Sequence, residues 1–166
     1  MIGFRRAVLA LAIPLNLMLI VWMAIGRSLF GIMTAWMAYL MVLWAAPALL
    51  VLLTLSTILM FCQRRRPVRL STAQAWLQVG CWLCMFVVGI AVVDGDDTGD
   101  VGGILLSIFG DNPTMVNISG IAMLIAGFVG AAAWLALMVL LLVGLTKRPL
   151  PPPPPYWAYP PPGAPW

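Results

Sequence analysis

The stretch DGDDTGD, Asp94 to Asp100, holds four of the five acidic residues in the chain and is its densest set of hard oxygen ligands. Read as a calcium loop, it puts Asp94 at position 1, Asp96 at 3, Thr98 at 5, Gly99 at 6 and the Asp100 carbonyl at 7. Position 12 is then Leu105, where a bidentate glutamate normally closes the coordination. The expectation is therefore a low-affinity site for Ca2+ on Asp94, Asp96, Thr98 and Asp100, set against a plainer reading. In that reading the loop is a solvated negative cap between two helices, with Gly95, Gly99, Gly102 and Gly103 forming turns. The plainer reading accounts for more of the residues.

A second set of reactive atoms is CWLC, which places Cys81 and Cys84 one turn apart on a helix, with Cys62 elsewhere in the chain. Thiol chemistry needs a stabilised thiolate, and this pair lies in the middle of an apolar run, so small-residue packing is the expected role. A closed zinc site is not available within one chain, because there are only three cysteines and no histidine. The chain also lacks glutamate. No catalytic residue is expected, no cofactor, and no enzyme activity.

A third feature is the end of the chain, PLPPPPPYWAYPPPGAPW, which suits polyproline II and excludes helix or sheet. Within it, PPPY carries Pro153, Pro154 and Tyr156, followed by Trp157 and Tyr159. Preformed proline-rich ligands of this kind dock in aromatic-lined grooves, so the tail is the most partner-like segment. The alternative is a tail that only solubilises, or that rests on lipid headgroups.

The elements that must position these residues are apolar. The chain is 63% hydrophobic and 8% charged, far from a soluble globular composition. Four uncharged segments, Ala7 to Ile25, Leu29 to Phe61, Ala73 to Val93 and Met115 to Leu145, are each long enough to cross a bilayer, which takes about 20 helical residues. The second exceeds this length, and a span at residues 39–61 is favoured, with Trp36 and Tyr39 in an interfacial belt. The fold class expected is an all-α integral membrane protein. Four transmembrane helices at about 7–25, 39–61, 73–93 and 115–145 form a compact bundle over residues 1–148, followed by a proline-rich cytoplasmic tail, 149–166. An acidic outer loop covers 94–114, and VGGILLSIFG within it is apolar enough for a short interfacial helix. Asn112 followed by Pro113 reads as the start of the last helix.

Charge placement sets the orientation. With the N-terminus in the cytoplasm, Arg5, Arg6, Arg64, Arg65, Arg66, Arg69, Lys147 and Arg148 lie inside, leaving only Arg27 outside with all five aspartates. The expected location is the plasma (inner) membrane, multi-pass, with both termini cytoplasmic. Arg5 and Arg6 before an apolar run also resemble a secretory signal. That run is 19 residues, against a signal core of about 7–15, so a retained helix is expected.

Inside the segments the polar residues are few, and none is Asp, Glu, Lys, Arg or His. Asn16, in the middle of the first segment, must find a partner in another helix or another copy. Pro14 and Pro47 predict kinks about one turn before each. In the last segment Ala122, Ala126 and Gly130 recur every four residues beside Gly127, a smooth ridge for helix packing. The leading functional expectation is a non-enzymatic accessory or scaffold protein, acting through helix packing and the tail. Its partners would be membrane lipid, a membrane or cytoplasmic protein, and a second copy of itself, but not nucleic acid. A phage-type membrane protein, a holin or a superinfection exclusion factor, is the alternative, and a channel or transporter component is third. The richness in Arg, Ala, Gly, Pro and Trp suggests a bacterial or phage source.

Overall fold

The structure is a computed structural model that describes residues 2–32, 36–63, 70–95 and 101–146. It is all-α apart from one small hairpin, and it holds four helices long and apolar enough to cross a membrane. Helix α1 spans Ile2–Ile25 and passes through Pro14 without a break in its assignment, then tightens into a 3-10 turn at Gly26–Phe30. Gly31 closes that turn in the left-handed region at φ 72°, a conformation that glycine adopts without steric cost. The second long helix comprises α2, Trp36–Leu40, a π turn at Met41–Ala45, and α3, Ala46–Phe61. Pro47 explains the π turn. Its ring crowds the carbonyl four residues earlier and supplies no N–H, and wider spacing, with the Ala46 N–H donating to the Met41 carbonyl, accommodates it.

Helix α4, Thr72–Ala91, opens on a capping box in which the Ser71 hydroxyl accepts from the Gln74 N–H and the Gln74 side chain accepts from the Ser71 N–H. It ends at an antiparallel hairpin of β1, Val93–Gly95, and β2, Val101–Gly103, paired Val93 with Gly103, Asp94 with Gly102 and Gly95 with Val101. This hairpin differs from the sequence expectation, which has Val93 ending the third span and Val101–Gly103 opening a short interfacial helix within the acidic loop. The β-branched Val92, Val93 and Val101 favour extended backbone, and Gly102 and Gly103 sit where the fold approaches closely: a side chain at Gly103 would meet the Val92 carbonyl. A short helix α5, Ile104–Phe109, follows, and α6, Pro113–Thr146, begins where Asn112 and Pro113 place it. The Asn112 Oδ1 accepts from the Met115 N–H at 2.9 Å.

The hairpin, the 3-10 turn and the start of α2 share one end of the bundle, the hairpin end. The start of α1, Cys62, Leu70 and the end of α6 share the other, the terminal end, where the Arg5 Nε donates to the Leu70 carbonyl. The most extensive helix contacts are α4 with α6 and α4 with α1, followed by α1 with α3. Contact between α3 and α6 is sparse. The shared core includes Val8, Ala12 and Leu19 of α1, Leu53 and Met60 of α3, Trp82 and Met85 of α4, and Leu137 and Leu141 of α6.

Trp22 shows how closely α1 and α4 approach. Its indole lies over Gly89, stacks on Phe86 with ring centres 5.4 Å apart, and donates to the Phe86 carbonyl at 3.3 Å. A Cβ at position 89 would fall on the indole, whereas one at Gly127 would meet nothing. Alanine gains about 1 kcal/mol over glycine in a helix interior. Gly89→Ala is nevertheless expected to be destabilising by about 1–3 kcal/mol through overpacking, while Gly127→Ala leaves stability unchanged or raises it. Thermal unfolding of the two variants in detergent checks this, and equal shifts would show that Trp22 is free to move aside.

Candidate functional site

Two clusters of buried polar side chains organise the bundle. The first is at the hairpin end. Asp94, on β1, is nearly inaccessible and accepts from the Arg27 Nη1 at 2.9 Å through Oδ2, with the two side chains 5% and 3% exposed. Its carboxylate also accepts from two backbone N–H groups of α2: Met37 to Oδ1 at 2.9 Å and Ala38 to Oδ2 at 3.1 Å. These are the second and third residues of that helix, the positions that an N-cap side chain normally serves. Asp94 thus caps a helix from 56 residues away in sequence. A negative charge there is favoured both by the helix dipole and by Arg27. The Arg27 Nη2 is buried without a partner.

This arrangement differs from a purely solvated acidic cap. Asp94 is a structural ligand for protein donors, and both its oxygens are engaged. Asp96, Thr98 and Asp100, the other calcium candidates, lie outside the described residues. Among the described residues no three His, Cys, Asp or Glu side chains gather as a metal site. Arg27, in sequence the one cation expected on the outer side, is the charge partner of this cluster. In the sequence Arg27 is a lone cation between the first two apolar segments, on the side to which charge placement assigns all five aspartates.

The second cluster lies inside the bundle and joins three helices. The Asn16 Nδ2 of α1 donates to the Thr57 Oγ1 of α3 at 3.1 Å. The Asn16 Oδ1 accepts from the Gln78 Nε2 at 3.2 Å and from the Trp82 Nε1 at 2.7 Å, both on α4. Two donors converging on one oxygen fix the orientation of the amide and use both its lone pairs. Thr57 passes its own proton to the Leu53 carbonyl at 2.7 Å. Asn16 therefore has its partners within the same chain, and Gln78, fully buried, keeps an unpartnered Oε1. A related pair of contacts holds α6 at the terminal end: the Gln63 Nε2 donates to the Leu141 carbonyl and the Gln74 Nε2 to the Leu140 carbonyl, each at 3.0 Å.

The other packing candidates divide. Ala126 is buried and Gly130 approaches Cys84 on the α4 side, Ala122 is half-buried, and Gly127 is exposed with open space around it. Cys81 is buried with its Sγ directed at the Gly130 carbonyl, 3.9 Å away, and Cys62 is exposed at the terminal end. Cys81 and Cys84 line an apolar crevice of about 250 Å3 between α3 and α6. The tail candidates Pro153, Pro154, Tyr156, Trp157 and Tyr159 lie outside the described residues.

Comparison of the chain with family models, with curated proteins and with solved structures finds no match. The reading of the two clusters therefore rests on their own geometry. Both hold helices together.

Removing the Asp94 carboxylate would leave Arg27 as an uncompensated buried charge, a loss worth about 3–5 kcal/mol. Asp94→Ala is expected to cost that much in detergent unfolding. Asp94→Asn should cost less, because its amide oxygen still accepts a helix N–H. Combining Arg27→Met with Asp94→Asn is expected to cost less than the sum of the two single changes, and strict additivity would show that the ion pair is not coupled.

In the central cluster, Asn16→Leu strands the Gln78 and Trp82 donors and is expected to lose about 1–3 kcal/mol. Thr57→Val strands only one donor and is expected to lose about 0.6 kcal/mol, the average for such bonds between membrane helices. The same unfolding assay ranks them, and a reversed order would place the anchor on Thr57 rather than on Asn16.

Proposed function

We propose that this chain is a multi-spanning plasma-membrane protein with both termini in the cytoplasm, acting as a non-enzymatic scaffold or accessory protein for a partner recruited by its proline-rich tail. The observation that carries the reading is the inversion of polarity across the bundle. The outward faces of the long helices are apolar, with Leu43, Trp44 and Phe128 69%, 70% and 76% exposed. Asn16, Gln63, Gln74 and Gln78 turn inward to bond other helices. An apolar surface of this extent fits a hydrocarbon surround, where polar groups must be satisfied within the protein.

Orientation follows from charge. In the sequence, eight of the nine cations fall near the start of α1, between α3 and α4, or after α6, and the positive-inside rule assigns these stretches to the cytoplasm. Arg27, the exception, is neutralised by Asp94. The scaffold reading draws on the way the buried polar side chains bond helix to helix, and on a tail whose PPPY stretch suits aromatic-lined grooves.

Two measurements test the proposal. A cysteine introduced at Thr98, with the three native cysteines changed to serine, is expected to react with a membrane-impermeant reagent in intact cells. Labelling only after permeabilisation would reverse the topology. A mild-detergent pull-down of the full chain is expected to retain a stoichiometric partner that a version truncated after Arg148 loses. Self-association unchanged by truncation would instead move the weight to the helices and to the pore-forming alternative.

A further inference from the structure

A second groove, of about 470 Å3, runs between α1 and α3 on the outward face of the bundle. Its walls include Ile13, Leu17 and Ile20 on one side and Leu50, Ile58 and Phe61 on the other, and Thr54 opens onto it. The volume falls within the range of about 300–1,000 Å3 usual for ligand pockets, and the lining is apolar with a few polar groups, as such pockets are. On α3 the groove extends from Leu50 to Cys62. At about 1.5 Å per residue that is roughly 18 Å, close to the depth of about 15 Å of one hydrocarbon leaflet. Its lining runs along both helices and reaches Cys62 at the terminal end.

A charge stands beyond that end. Arg6 lies seven residues before Ile13 on α1, a spacing that returns to within about 20° of the same helix face. The contact between Asn16 and Thr57 sets the antiparallel register of α1 and α3, which puts the level of Cys62 near residue 11 of α1. Arg6 is then about 7–8 Å further out along the axis, at headgroup height for a chain that fills the groove. Arg5 is engaged with the Leu70 carbonyl, whereas Arg6 is exposed and has no ion pair among the described residues. Apolar walls one leaflet deep, ending below an arginine with no counter-charge among the described residues, complement one class of molecule.

We infer that the α1–α3 groove is a binding site for an anionic phospholipid of the leaflet at the terminal end, with one acyl chain between the two helices and the headgroup phosphate on Arg6. The site rests on the membrane reading above. Its lining includes no tail residue, and it requires no protein partner. Arg6 selects the headgroup, the groove holds the chain, and Thr54 marks the place where added bulk would exclude it.

The test is native mass spectrometry of the full-length protein in detergent, offered equal amounts of dioleoyl phosphatidylglycerol and dioleoyl phosphatidylcholine. The first lipid bound by the unmodified protein is expected to be the glycerol form by about fivefold, the factor that one arginine contributes at an anionic surface. Arg6→Gln is expected to bring the ratio close to one while lipid is still retained. Thr54→Trp, at an exposed position, is expected to remove the first adduct of both lipids while detergent unfolding stays close to that of the unmodified protein. A ratio near one in the unmodified protein, a ratio unchanged in Arg6→Gln, or adducts that survive Thr54→Trp would each overturn the site. Release of the protein from membranes by an alkaline carbonate wash would overturn the membrane reading itself, and the site with it. A protein that stays embedded but shows no headgroup preference overturns the site alone.

Discussion

The hairpin end depends on one carboxylate. Asp94 accepts three donors, the Arg27 guanidinium and the N–H groups of Met37 and Ala38, and each donor comes from a segment that ends or begins a long helix. A buried carboxylate is costly to desolvate and persists only when its geometry is this complete. The hairpin is the device that delivers it: β1 continues directly from the end of α4 and aims Asp94 back across the bundle at the start of α2. The 3-10 turn after α1 has a matching purpose, because it brings Arg27 to the same point.

Toward the terminal end the same requirement is met by neutral groups. Asn16 joins α1 to α3 and α4, while Gln63 and Gln74 hold backbone carbonyls of α6. Helix α4 is the hub, contributing Gln74, Gln78 and Trp82 and the glycine against which Trp22 lies. It is also the long helix with the largest buried share. The long helices α3 and α6 are apolar around most of their circumference and touch each other little, which leaves the thiol-lined crevice between them.

Much of the architecture was legible in the sequence, because unbroken apolar length and local punctuation are local signals. Four long helices, the start of α6 at Asn112 and Pro113, a short helix within VGGILLSIFG (though it begins only at Ile104), and a disturbance of the helix before Pro47 all follow from residues within a few positions of the feature. Asn16 could be recognised as needing a partner, but its partners could not be named, since their choice depends on which helices become neighbours. The hairpin and the Arg27–Asp94 pair were illegible for a related reason. Asp94 looks like the first of a row of similar acids, and the arginine that distinguishes it lies 67 residues earlier in the chain. The small-residue ridge of α6 was visible as a pattern, yet only the packing separates Ala126 and Gly130, which face α4, from Gly127, which does not.

The long reach of Asp94 also orders events while the chain is being made. The first turn of α2 emerges from the ribosome 56 residues before the carboxylate that caps it. At about 5–20 residues per second, that helix start is without its partner for on the order of 3–10 s. Arg27 waits longer still, as a bare cation already beyond the first hydrophobic segment. The cap of α2 and the counter-charge of Arg27 therefore become available only once the third long helix has been synthesised, and the three segments of the hairpin end can join only from that point.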